Sequence, residues 1–271
     1  MESGVQQYID AVTQLRPNGA TSLVSVILFG SAARGAFSQS SDVDLIIVVP
    51  DETSAEDRRR LRAKVNGLEI MHGFRPPESE RTNLLESFAA HAGGHAQSCF
   101  LCARAELISG DVARIFGLRR AEEIFVERML LASVMVSART VWGEDLLSLV
   151  PLPALRRLDV FKSLFRSTSF ILFCVAAFPV LSDATKYAMS TIKHALHGCY
   201  FCYQMKTASL DEEVQFFNAR LGRNRALSDL PHQRENYHRS FTFVLSCLPT
   251  LVRLHLRTLR DNRFPRSVAK A

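Results

Sequence analysis

Two short apolar runs separated by a glycine turn constrain this chain more than any other feature. The run from Val24 to Phe29 stops at Gly30, and a second run from Val43 to Val49 ends at Pro50. Nearly continuous apolar, β-branched runs of this length are typical of strands that are buried on both faces of a sheet. The stretch therefore predicts a strand, a glycine turn, a short helical or irregular segment and a second strand.

A pair of aspartates begins the second predicted strand. Asp42 and Asp44 are two residues apart, so their side chains share one face, while Val43 and Leu45 point to the other. Adjacent carboxylates repel, and each resists ionisation beside the other unless a cation lies between them. Mg²⁺ usually takes one or two carboxylates together with substrate phosphates. The pair therefore predicts a magnesium site, and the alternative is that the acids cap a neighbouring helix or pair with Arg34.

The turn before the aspartates is suited to binding phosphate. Gly30 lets a phosphate approach the backbone closely, and Ser31 offers a hydroxyl and an amide to phosphate oxygens. The stretch thus predicts a phosphate-binding turn beside a metal site.

These residues resemble the signature of the nucleotidyltransferase superfamily, which has the DNA polymerase β-like fold. The segments that carry the resemblance are Phe29-Gly30-Ser31 and, ten residues later, Asp42-Val43-Asp44-Leu45. Arg34-Gly35 and Ser41 also resemble the smaller bacterial members. The resemblance implies that Gly30 and Ser31 hold the phosphates of a nucleoside triphosphate (NTP), with Arg34 as a phosphate or structural partner, and that Asp42 and Asp44 carry Mg²⁺.

The resemblance also implies a third carboxylate, on the strand that follows the next helix. Glu69 is the candidate by position, because Leu68 to Phe74 is predicted to be a third strand. In the family this carboxylate completes the site of a second Mg²⁺ and can help to deprotonate the attacking hydroxyl. Glu106 and Asp111 are the alternative candidates, and Glu69 could also be an edge-strand residue that faces water.

The remaining pattern predicts an α+β protein: an N-terminal nucleotidyltransferase-type mixed sheet with flanking helices, followed by an all-α helical bundle. The predicted domains are residues 1–118 and 119–271. A last strand is predicted at 98–103, and strand signals disappear after Arg119. Helices are predicted at 4–15, 54–65 with an end at Asn66-Gly67, 78–90, 107–117, 121–142, 154–177, 183–206, 210–221 and 232–261, with a linker at 222–231.

The charge and the hydropathy of the chain limit the kinds of partner that it could have. The formal net charge of +6 suggests an anionic partner, such as a nucleotide, a nucleic acid or an acidic protein surface, although solubility alone also explains it. The longest apolar run, 170–181, contains Pro179 and is too short to span a bilayer. The first residues are not those of a signal peptide. We expect a cytoplasmic protein without a membrane partner, of unknown oligomeric state.

Two further patterns could carry chemistry. Cys99-Phe-Leu-Cys102 and Cys199-Tyr-Phe-Cys202 have the spacing of zinc ligands, but their bulky apolar spacers favour buried packing thiols. Arg234 and His238 loosely resemble the Arg-and-His motif of helical HEPN ribonucleases, with a spacing that is one residue short.

The sequence therefore predicts an Mg²⁺-dependent nucleotidyltransferase with an NTP, such as ATP, as substrate and two metal ions as cofactors. It would transfer a nucleoside monophosphate to a hydroxyl of an RNA end, a protein side chain or a small molecule, and release pyrophosphate. The basic balance argues mildly against a small hydroxylated acceptor such as an aminoglycoside, which would need an acidic cleft, and it suits an RNA end. In contrast, Trp142-Gly143-Glu144-Asp145 resembles the exit from this domain in antibiotic-modifying members. The alternative is a nucleotide-binding regulatory module without turnover.

Overall fold

The computed structural model describes residues 2–16, 22–33, 43–74, 98–117, 128–222 and 224–267. The strands are β1 Ser25–Phe29, β2 Asp44–Val49, β3 Cys99–Ala103 and β4 Arg139–Gly143. The helices of the sheet-containing part are α1 Glu2–Thr13, α2 Gly30–Ala33, α3 Ala55–Met71, α4 Arg104–Ser109, α5 Val112–Ile115 and α6 Arg128–Ser137. A 3₁₀ turn, Leu147–Leu149, precedes α7 Arg157–Ala176, α8 Ala184–Gln204, α9 Leu210–Leu221, α10 Arg225–Glu235 and α11 Phe241–Asp261.

The four strands form one mixed sheet with the order β3-β2-β1-β4. Strand β1 is antiparallel to both β2 and β4, and β2 is parallel to β3. The two apolar runs of the sequence are therefore the central strands, as predicted. Phe29 at the end of β1 lies opposite Asp44 at the start of β2.

Alternation along the strands separates two apolar cores. Helices α1 and α3 cover one face of the sheet, whose buried side chains include Val26, Leu28, Leu45, Ile47, Cys99 and Leu101. Helices α4, α5 and α6 cover the other, whose buried side chains include Ile27, Phe29, Ile46, Val48 and Cys102. The predicted helix at 4–15 and the predicted strand at 98–103 are confirmed as α1 and β3.

The predicted third strand at Leu68–Phe74 is wrong. Helix α3 does not end at Asn66-Gly67 but continues to Met71. A glycine inside a helix costs only about 1 kcal/mol relative to alanine, and the extra turn buries Glu69 and packs Leu68 against the sheet. Tertiary packing therefore outweighs the local stop signal, and Glu69 lies on a helix.

Strand β4 was not predicted. The sequence indicated one helix over 121–142, but α6 ends at Ser137, and Arg139–Gly143 pairs with β1. Its residues are half-buried or exposed, so the segment lacks the apolar run that marks β1 and β2. The sheet thus includes residues that the predicted division at 118/119 assigns to the helical part, and that division stays a prediction.

The C-terminal half is helical, as predicted, but its last helices divide differently. The predicted linker at 222–231 contains the start of α10, where the side chain of Asn224 accepts a hydrogen bond from the amide of Leu227. The predicted helix at 232–261 is broken after Glu235, and Ser240 caps α11 through the amide of Phe243. The predicted helix at 78–90 lies outside the described residues.

The two halves join through a small apolar cluster. Met129 and Ala132 of α6 pack with Phe201 and Cys202 of α8. In the part of the chain that the structure describes, none of the helices combines the length and apolar character needed to cross a bilayer.

Candidate active site

The glycine turn and the second aspartate meet at the ends of the two central strands. Gly30 has a φ of +71°, in the left-handed region that favours glycine. A Cβ atom built on Gly30 would collide with Oδ2 of Asp44, so this carboxylate lies directly over the Cα atom of Gly30. The position excludes a side chain both by its backbone conformation and by this contact.

Backbone amides begin a helix at the same turn. Helix α2 starts at Gly30 and includes Ser31. The first amides of a helix have no carbonyl partner within the helix and are therefore available to an anion. The turn thus places hydrogen-bond donors next to the Asp44 carboxylate.

The Asp44 side chain shares its face of the sheet with an aromatic cluster. Phe29 is its cross-strand partner, and the ring of Phe29 lies 6.0 Å from that of Phe100 and 6.4 Å from that of Phe116. Phe100 and Phe116 contact edge to face at 4.9 Å. Such apolar surroundings strengthen electrostatic interactions at their border. The sequence pattern does not predict this cluster. Antiparallel pairing of the two predicted strands could have indicated that Phe29 lies beside Asp44, but not that Phe100 and Phe116 join it.

Two of the predicted site residues cannot be placed. Asp42 and Arg34 lie outside the described residues, and for Ser31 only the backbone is described. Their roles stay predictions.

Glu69 lies on the other side of the sheet from Asp44. Its side chain is 1% exposed, and its Oε1 accepts a hydrogen bond of 2.5 Å from Ser98 Oγ. Glu69 belongs to α3, which packs on the face that contains Cys99, whereas Asp44 shares the opposite face with Ile46. The structure therefore does not bring the two carboxylates to one face.

Glu69 is instead part of a buried polar network. Tyr8 of α1 and Cys99 of β3 share a hydrogen bond of 3.1 Å between Oη and Sγ. Burial, and then the charge of Glu69, raise the pKa of the Cys99 thiol well above its usual range. Burial also raises the pKa of the Tyr8 hydroxyl. Both groups are therefore neutral neighbours of the carboxylate.

This network fixes the start of β3 beside β2. Ser98 donates its hydroxyl to Glu69, and its carbonyl accepts a hydrogen bond of 2.9 Å from the amide of Leu45, the residue after Asp44. Glu69 thus contributes to the position of the strand that carries Asp44.

Glu106 and Asp111, the alternative candidates for the third carboxylate, both cap short helices. Glu106 accepts a hydrogen bond from the amide of Ala103 at the start of α4 and pairs with Arg58 at 3.0 Å. Asp111 caps α5. Among the residues that can be described, no group of three or more His, Cys, Asp or Glu side chains is arranged to hold a metal ion.

The prediction that the Cys-x-x-Cys pairs are buried thiols is confirmed. All six cysteines are buried, and none of them forms a disulfide. Cys99 and Cys102 lie on opposite faces of β3, since three positions separate them on a strand. Burial raises the pKa of Cys102 to about 12. These thiols therefore do not form a shared ligand pair.

The Arg234 and His238 pattern does not form one helical turn. Helix α10 ends at Glu235, so His238 lies beyond it and contacts Gln233 at 3.0 Å. Arg234 is exposed.

The fold and the turn define a class of protein. Residues 5–75, which contain β1, the glycine turn and β2, match the family model of the nucleotidyltransferase domain. This part of the chain is therefore a nucleotidyltransferase domain, the domain of a transferase.

One solved structure is similar over nearly the whole length of both chains. It is the crystal structure of spectinomycin adenyltransferase AAD(9) from Enterococcus faecialis with ATP and spectinomycin. The TM-score is 0.56 at 12% sequence identity, over 94% of this chain and 98% of that chain. This likeness shows a shared fold across both halves. A comparison with curated protein sequences finds no match.

Proposed function

We propose that this protein is an Mg²⁺-dependent nucleotidyltransferase that moves a nucleoside monophosphate from an NTP to an acceptor hydroxyl. The observation that carries the proposal is the Asp44 carboxylate over the Gly30 turn, at the start of a helix. An anionic group and phosphate-binding amides occur side by side there. A carboxylate alone would repel a triphosphate, and a cation bound between them would remove this repulsion.

The donor chemistry of the site suits magnesium. Asp44 supplies carboxylate oxygen, and Asp42, two positions earlier in the sequence, is proposed as a second carboxylate ligand. The bound ion would neutralise phosphate charge and act as a Lewis acid. Gly30 and Ser31 would orient the β- and γ-phosphates through their amides, and Arg34 is proposed as a further phosphate partner.

The reaction follows from this arrangement. The acceptor oxygen attacks the α-phosphorus and forms a new P–O bond. The bond from the α-phosphorus to the oxygen bridging the β-phosphorus breaks, and pyrophosphate leaves with the electron pair. The acceptor hydroxyl gives its proton to solvent or to a base of the site. We propose that Glu69 positions β3 and thereby β2, because its carboxylate is buried on the opposite face from Asp44.

We infer that ATP is the donor and a small hydroxylated molecule the acceptor. The support is the full-length likeness to an enzyme whose structure contains ATP and spectinomycin. An RNA end is less favoured, because the exposed basic side chains of α3 lie between positions 59 and 64, toward the end of β2 that is remote from Asp44. They are Arg59, Arg60, Arg62 and Lys64.

A transfer assay tests the proposal. The purified protein, Mg²⁺ and each α-labelled NTP are incubated separately with aminocyclitols, total RNA and cell protein. Label from ATP in the small-molecule fraction, lost in Asp44→Asn but not in Asp57→Asn, is the expected result. Asp57 is a suitable control because it is an acidic residue of the first turn of α3, outside the site. Tight binding of Mg-NTP without pyrophosphate release would indicate a regulatory module instead.

A further inference from the structure

An apolar seam runs along the outer face of α7. Leu158, Phe161, Phe165 and Leu172 are 60, 51, 61 and 55% exposed. The opposite face of the same helix is buried, with Val160, Ser163, Ser167, Ile171 and Cys174. A surface helix normally turns its only apolar stripe toward the core. Helix α7 has a second one that faces outward.

The seam has the spacing of a coiled coil. Half-buried Thr168 and Val175 continue the seam, with Val175 at the border where it also packs against the core of the helical half. The steps of the series alternate between three and four residues: Leu158, Phe161, Phe165, Thr168, Leu172, Val175. Alternating steps of three and four are the a and d positions of a heptad repeat, the pattern by which one helix packs along another. The outer face of α7 is therefore shaped for a partner helix.

We propose that this face pairs with the same face of a second copy of the chain, with the two α7 helices antiparallel. This interaction does not rest on the proposed enzymatic function. In such a pair each a position packs against a d position across the interface. Phe165 would contact the partner's Thr168, and Phe161 would contact the partner's Leu172.

The charges of α7 favour the antiparallel direction. Arg157, Lys162 and Arg166 are all in its first half, whereas residues 167–176 carry no charged side chain. Antiparallel pairing places each cationic half against the neutral half of the other helix, whose carbonyl end is the negative end of the helix dipole. A parallel pairing would instead bring Arg157 beside the partner's Lys162.

A dimer of standard size would need exposed apolar area from α11 as well as from α7. Helix α11 packs antiparallel beside α7, with a hydrogen bond of 3.1 Å between Ser163 and His255. It carries four more exposed apolar side chains, at 44, 47, 38 and 51%: Phe241, Leu245, Val252 and Leu256. If both helices contribute, their eight half-exposed side chains present roughly 700 Å² per protomer, close to the share of one partner in a standard interface.

Sedimentation equilibrium of the full chain over a wide range of concentration tests the dimer. The wild-type protein is expected to be dimeric, and Phe165→Lys should weaken the dimer roughly tenfold or more, because it buries a charge at the centre of the seam. Leu149→Lys is the matched control, since Leu149 is 50% exposed but lies in the 3₁₀ turn before α7. Circular dichroism verifies that both variants stay folded.

Cysteine crosslinking tests the direction without a charge change. The native cysteines are buried, so only the thiols introduced on the seam are accessible for crosslinking. The variants F161C and L172C should each fail to crosslink as homodimers but crosslink when mixed. Efficient crosslinking of F161C alone would indicate a parallel pair and overturn the proposal.

Three other results would also overturn it. The first is a monomer at every concentration. The second is a dimer that Phe165→Lys leaves intact. The third is a monomer that sediments with phosphatidylserine vesicles but not with phosphatidylcholine vesicles, which would identify the seam as a membrane-binding face.

Discussion

The carboxylate of Asp44 lies over the Cα atom of Gly30, so the first residue of β2 closes the turn that ends β1. The two residues are not adjacent in the chain, but antiparallel pairing of β1 and β2 makes them neighbours. This contact explains in physical terms why a glycine and an acidic residue occur together in the motif. The acid needs the space that a side chain at position 30 would fill.

Gly30→Ala should abolish nucleotidyl transfer and lower stability by about 1–3 kcal/mol, because φ is positive and the new Cβ displaces the Asp44 carboxylate. Gly67→Ala is the matched control. Gly67 lies inside α3 with nothing near its Cα, so alanine should stabilise by about 0.5–1 kcal/mol. Urea unfolding and the transfer assay measure both variants. Equal stability changes at the two positions would contradict the described turn.

Asp44→Asn should reduce transfer by roughly a hundredfold or more while the fold stays intact. The substitution keeps the shape but removes the charge that would hold Mg²⁺. The measurement is the rate of pyrophosphate release at saturating Mg²⁺, with circular dichroism as the test of folding. A wild-type rate in this variant would contradict the assignment of Asp44 to the active site.

Glu69 should behave differently from Asp44. Glu69→Gln retains an oxygen that accepts the Ser98 hydroxyl, so transfer should stay within about tenfold of the wild-type rate. Glu69→Ala removes that acceptor and should lower both the stability and the maximal rate. A Glu69→Gln variant as inactive as Asp44→Asn would show that Glu69 is the third catalytic carboxylate after all.

Strong local signals predicted the central part of the fold. The runs at Val24–Phe29 and Val43–Val49 predicted β1 and β2, because continuous apolar residues have few alternatives to a buried strand. The failures occurred where tertiary contacts decide. Helix α3 passes Gly67 because its last turn is buried, and β4 forms because β1 offers an unpaired edge to a weakly apolar segment.

The candidate site was only partly predictable for the same reason. Gly30 and Asp44 belong to one local motif, and their contact follows from strand pairing. Distance along the chain indicates Glu69 as the third carboxylate, but whether a residue reaches a given face depends on the element that carries it. A helix in place of a strand put this carboxylate on the opposite face.

The pair of His197 and Glu213 should stabilise the helical half. Nδ1 of His197 lies 2.6 Å from Oε2 of Glu213, and the Glu213 side chain is 1% exposed. Either His197→Leu or Glu213→Leu leaves a buried polar partner and should cost about 3 kcal/mol or more. The double variant should cost at least about 1 kcal/mol less than the sum of the two. Urea unfolding of all four proteins completes the cycle, and additive costs would show that the two side chains do not interact.

The stability of the protein should fall between about pH 6.5 and pH 4 partly because of His255. Burial is the main cause that lowers its pKa to about 4, and the charge of Arg166 lowers it further, against a hydrogen bond to the carbonyl of Leu251. In this pH window the unfolded state binds a proton at this residue and the folded state does not. Stability is therefore lost as the pH falls from 6.5, by up to about 3 kcal/mol, and the loss levels off below pH 4.

His255→Gln isolates this contribution, because glutamine stays neutral at every pH and can still hydrogen-bond to Ser163. The free energy of unfolding should decline less steeply for the variant than for the wild type over the window, since one fewer group takes up a proton on unfolding. Exposed His232 is the control position, and His232→Gln should leave the wild-type slope unchanged. Equal loss of stability in the wild type and in His255→Gln would contradict this prediction. It would mean that the buried imidazole takes up its proton in the folded state over the same pH range as in the unfolded state.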